Sequence, residues 1–110
     1  MSFFKSQINW EEANCAGMDF NDFFIVEEKR QSVKLQKEMM QTIRPTCFSC
    51  PIWKQCLQWG FANEEFGVWG GLTSTERRSF QGRAAIDIRR RAILVANQFG
   101  VTQEQIEELM

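Results

Sequence analysis

The sequence predicts an all-α fold, a small multi-helix domain, and three observations carry that expectation. Apolar residues recur at helical spacing, as in Ile88, Ala92, Val95 and Phe99, and no run of four or more residues alternates as a half-buried strand would. Helix start and stop signals are dense, with Pro51 at a first helical position, Thr73 and Glu76 at capping-box spacing, and Gly100 where a C-terminal cap belongs. The chain has 110 residues and contains no internal repeats, which fits one small domain.

From the N-terminus, residues 8 to 14 read as a short helix. Beyond Gly17, Val26, Val33 and Met40, together with Leu35 and Met39, predict a longer helix from Val26 to Ile43. Pro45 disfavours helical backbone at the residue before it, so that helix is expected to end near Arg44 and to leave Cys47 and Cys50 in a loop. The next helix is expected to run from Pro51 to about Phe61, carrying Cys56, Leu57 and Trp59, with Gly60 helping to end it. Three glycines within Gly67-Val68-Trp69-Gly70-Gly71 predict a tight turn that leaves the indole of Trp69 unshielded. A helix then opens at Thr73 and reaches Phe80, Gly82 interrupts, a further helix covers Arg83 to Gln98, and Thr102 with Gln105 opens a last short one.

Composition narrows the chemistry. Hydrophobic residues at 44% and charged residues at 25% exclude collagen-like and wholly disordered classes. Apolar stretches are too short for a transmembrane helix, and MSFFKSQINWEE lacks a basic region followed by an apolar run, so a cytoplasmic protein is expected. With no histidine, imidazole acid–base catalysis and imidazole metal ligation are excluded. Four cysteines without an export signal point to metal or redox chemistry rather than a secreted disulfide scaffold.

Cys15, Cys47, Cys50 and Cys56 are spaced C-x31-C-x2-C-x5-C. A structural zinc site accepts four thiolates, although zinc modules commonly use two C-x2-C knuckles and only one is present. An iron-sulfur cluster also takes four thiolates and tolerates irregular spacing. Spacing alone leaves both readings open, beside buried cysteines with no ligand role. A cluster-free thiol-disulfide oxidoreductase would use the Cys47-Phe48-Ser49-Cys50 pair, but the expected βαβ context is missing. A zinc-stabilised adaptor is the remaining alternative.

Between Trp10 and Phe80 the chain resembles the WhiB-like family, small iron-sulfur transcription factors of actinobacteria and their phages. The resemblance rests on Trp10 and Ala13 ahead of Cys15, the Phe23-Phe24 pair, Cys47-Phe48-Ser49-Cys50-Pro51, Cys56-Leu57, the Gly67 to Gly71 turn, and Glu76-Arg77-Arg78. It implies a non-enzymatic regulator whose [4Fe-4S] cluster is held by Cys15, Cys47, Cys50 and Cys56. Such a protein docks, as a monomer, on region 4 of the primary sigma factor of RNA polymerase, and its cluster senses redox state or nitric oxide. By position, Trp10, Phe23, Phe24 and Trp69 are the sigma-binding aromatics that the resemblance implies.

The resemblance makes residues 1–80 the iron-sulfur domain and leaves 81–110 as a helical tail, which departs from the family, whose members typically end in a basic DNA-contacting segment. Here Ala96, Phe99, Gly100, Val101, Ile106 and Leu109 fall where a helix-turn-helix uses small and apolar residues. Glu104, Glu107 and Glu108 would repel phosphates from its second helix. Residues 77 to 91 carry six arginines against Asp87, so Arg77, Arg78, Arg83, Arg89, Arg90 and Arg91 are the candidate partners for promoter DNA, a contact expected to be secondary.

Overall fold

A computed structural model describes residues 8–18, 22–25 and 32–110 of the chain. Among them the secondary structure is helical, apart from an isolated bridge between Trp69 and Leu72. No helix of the described residues is long and apolar enough to cross a membrane. Where a helix was expected over 8–14, only a 3-10 turn forms, at Trp10–Glu12. A short helix, α1, covers Asp22–Ile25.

Helix α2 spans Val33–Phe48, opened by Ser32, whose Oγ accepts from the Leu35 amide at 3.1 Å. The expected start at Val26 lies outside the described residues. The expected stop at Arg44 is corrected: Pro45 lies inside the helix and Cys47 in its last turn. Proline removes one amide donor, but bonding resumes at once beyond it. The Ser49 amide and hydroxyl both donate to the Pro45 carbonyl, at 3.2 and 2.7 Å, and the Thr46 hydroxyl donates to the Thr42 carbonyl at 3.0 Å.

Helix α3 covers Trp53–Asn63 and runs through Gly60, which was expected to end it. That glycine serves packing: a Cβ there would stand 2.5 Å from the Trp69 Cβ, so its absence lets the glycine-rich turn lie against the helix. Helix α4, Ser74–Phe80, opens with the expected Thr73–Glu76 capping box. Helix α5 covers Ile86–Gln98, starting after the expected Arg83 because Gly82 and Arg83 close α4, their amides donating to the carbonyls of Ser79 and Arg78. The same two-bond closure ends α5 at Gly100 and Val101, and the Thr102–Gln105 capping box opens α6, Gln103–Glu107.

The tail shares its core with the rest of the chain. Trp53, Leu57, Leu72 and Phe80 are packed in one buried cluster with Ala92, Ala96, Val101 and Ile106, and Phe99 stacks on Phe48 at 5.4 Å. A second cluster joins Phe23, Met40, Ile43, Cys47 and Val68; a third joins Ile8, Ala13 and Ile52. Cys15 packs against the second and third clusters, and Cys50 against the first and third.

Candidate metal centre

All four cysteines line one small cavity, together with Trp10, Ala13, Thr46, Ile52, Trp53 and Gly70. None is in a disulfide; Cys47 is buried and the other three are half-buried. Cys47 arrives on the last turn of α2, Cys50 on the connection that follows, Cys56 on the first turn of α3, and Cys15 on the turn after Trp10–Glu12.

Asn14 ties that N-terminal turn to the end of α2. Its Nδ2 donates to the Thr46 carbonyl at 3.2 Å and to Ser49 Oγ at 3.1 Å, and its backbone amide lies 3.4 Å from the Cys50 sulfur. Nothing in the spacing of the sequence singled out Asn14; its one signal is its place beside Cys15.

The glycine-rich turn supplies two more donors. Gly70 donates its amide to the Cys56 sulfur and Gly71 to the Cys47 sulfur. Both glycines have positive φ, 61° and 86°, which turns their amides inward, and a Cβ at Gly70 would meet the Leu57 backbone at 2.8 Å. The turn's carbonyls are held on other partners. Gly70 accepts from Trp53 Nε1 at 2.8 Å and Gly71 from Arg44 Nη1 at 3.0 Å. Gly67 and Leu72 accept from Arg77 Nη1 at 2.7 and 2.8 Å.

Burial, followed by the neighbouring thiols of Cys56, Cys15 and Cys50, pushes the Cys47 thiol up to about 12, against the lowering effect of the Gly71 amide. Burial likewise pushes Cys56 up to about 12, opposed by the Gly70 amide and by the nearby Arg77 charge. Cys15 is raised by burial and by Cys50. Four clustered sulfurs are thus costly to ionise together unless a cation accompanies them. The donor set fits a thiophilic metal group: four thiols in apolar walls, with amides directed at three of them. Among the described residues no group of three or more His, Cys, Asp or Glu is arranged to hold a single metal ion.

Several expected roles change with position. Trp69 is 4% exposed, so the unshielded indole is corrected: its ring lies edge-on to Trp10 at 5.9 Å, and its Nε1 donates to the Phe66 carbonyl. Phe23 is also buried, while Trp10 and Phe24 are half-exposed. Arg77 is corrected more sharply. It is 2% exposed and spends its guanidinium on the carbonyls of Gly67, Leu72 and Glu64, which removes it from the candidate phosphate partners. Arg78 and Arg89 are half-buried, and Arg83, Arg90 and Arg91 are exposed; Arg90 lies 3.7 Å from Asp87.

The model of a family described as "Transcription factor WhiB" matches residues 10–80. WhiD, a transcriptional regulator of Streptomyces coelicolor, is 37% identical over 73 residues, 66% of this chain and 63% of WhiD. The transcriptional regulator WhiB of the same organism is 36% identical over 80 residues, 71% of this chain and 82% of that protein. The redox-responsive transcriptional regulator WhiB3 of Mycolicibacterium smegmatis is 38% identical over 64 residues, 57% of this chain and 65% of that protein. The chain thus spans somewhat under two thirds of the length of WhiD. No solved structure matches. The match to the family model takes in all four cysteines and the glycine-rich turn, and the chain belongs to the WhiB family of transcription factors.

Proposed function

We propose that this protein is an iron-sulfur-dependent regulator of transcription. Cys15, Cys47, Cys50 and Cys56 hold a [4Fe-4S] cluster, and the cluster-bearing domain binds region 4 of the primary sigma factor as a monomer in the cytoplasm. The observation that carries the reading is the convergence of the four thiols on one apolar cavity in a chain of a transcription-factor family. When bound, the cluster supplies one-electron redox chemistry and iron that reacts with oxygen or nitric oxide. That accords with relatives named redox-responsive regulators.

The half-exposed Trp10 and Phe24 form the sigma-facing surface, with Trp69 supporting Trp10 from beneath. Arg78, Arg83, Arg89, Arg90 and Arg91 make secondary, sequence-independent contacts to promoter phosphates, and α5 with α6 stands as a helix-turn-helix-like pair. Protein purified without oxygen tests the cluster: brown protein with about four irons and four sulfides per chain supports it. Colourless protein holding one zinc favours the adaptor reading, and metal-free protein with an active Cys47–Cys50 pair favours the oxidoreductase. Co-purification with isolated sigma region 4 tests the partner.

A further inference from the structure

Arg77 is the most enclosed cation of the described residues, and its contacts converge on one object. Nη1 donates to the carbonyls of Gly67 and Leu72, at the two ends of the glycine-rich turn, and Nη2 donates to the Glu64 carbonyl at 3.2 Å, just beyond α3. A guanidinium is a planar fork of fixed geometry, so bonds to several carbonyls fix the turn's orientation as well as its position. Between those two anchored carbonyls lie the amides of Gly70 and Gly71, which act on Cys56 and Cys47.

We propose that Arg77 is a positioning residue of the thiol pocket: by tying down Glu64, Gly67 and Leu72 at the ends of the turn it works with Trp53 and Arg44, which hold the Gly70 and Gly71 carbonyls, to keep the Gly70 and Gly71 amides on the sulfurs. With its own buried charge it also sets how readily a metal group on those sulfurs accepts an electron. One-electron reduction adds one negative charge to the group; inward-facing amides and a buried cation stabilise that charge, so they raise the reduction potential. The inference rests on the iron-sulfur reading above.

Its test uses the full chain purified without oxygen, as wild type, Arg77→Gln and Arg77→Lys. Three readouts are taken: iron content, amide hydrogen exchange of residues 66–72, and the midpoint of a dithionite titration. Lysine keeps the charge and loses the fork; glutamine loses the charge. In both variants Gly70 and Gly71 should exchange at least tenfold faster. In Arg77→Gln the oxidised-to-reduced ratio at the wild-type midpoint should rise at least tenfold, about 59 mV for one electron. Arg77→Lys should shift less.

Faster exchange with an unmoved midpoint would make Arg77 a fold residue and overturn the proposal. So would failure of both variants to fold, or unchanged exchange. Wild-type protein without iron would instead defeat the cluster reading, and would show this before any variant is compared.

Discussion

Arg44 and Glu76 face each other through two hydrogen bonds of 3.1 and 2.9 Å, each side chain less than 15% exposed. The pair joins α2 to the start of α4. Glu76 also accepts from the Thr73 amide as the capping-box residue, and Arg44 donates to the Gly71 carbonyl, so one ion pair serves a helix start and the glycine-rich turn. Removing one partner leaves a largely buried charge uncompensated. Arg44→Ala should therefore cost about 3 kcal/mol of stability, read from denaturant unfolding of the anaerobic protein, and more than an alanine at the exposed Arg90.

Changing any one of Cys15, Cys47, Cys50 or Cys56 to Ala should abolish metal binding and lower helical content, because ligands from separate segments make metal-binding free energy into folding free energy. Circular dichroism and iron analysis of the four variants check this. Wild-type spectra and melting in all of them would show that the cysteines hold no structural centre.

Trp69→Ala should destabilise the fold by about 3–5 kcal/mol, a large part of a small domain's margin, because its side chain fills the space between Gly60 and Trp10. Thermal melting measures it. Trp10→Ala, at a half-exposed ring, should cost clearly less stability while weakening capture of sigma region 4.

Although the family match ends at Phe80, the core does not. Deleting residues 83–110 removes Ala92, Ala96, Val101 and Ile106 from against Leu57, Leu72 and Phe80. The shortened chain should lose cooperative unfolding and, with α3 loosened, its hold on metal. A shortened protein that melts as sharply as the full chain would show that the two parts fold independently.

Arg90→Gln with Arg91→Gln should reduce the salt dependence of DNA association, the slope of log affinity against log salt falling by about 0.9 for each phosphate no longer neutralised. Both residues are exposed. Filter binding across a salt series decides the matter, and an unchanged slope would place the phosphate-binding groups elsewhere.

Much of this was legible in the residues. The helical fold, the capping boxes at Thr73 and Thr102, the cap at Gly100 and the four cysteines all follow from local chemistry that a short window of sequence contains. What was misread depended on hydrogen bonds and close packing that residue type and spacing do not reveal. Pro45 and Gly60 look like helix stops until the bonds of Ser49 and the packing of Trp69 are known. Arg77 looks like one more surface arginine in a basic run, because its acceptors are backbone carbonyls, which no residue type advertises. Asn14 was invisible for the same reason.

The glycine-rich turn is secured by the same helices that deliver sulfur. Helix α2 provides Cys47 and Arg44, and α3 provides Cys56 and Trp53. A small sliding of either helix thus carries a sulfur and the tether of its amide donor in the same direction. The distance between the two is buffered against thermal breathing of the domain, as in a balance whose two arms share one pivot.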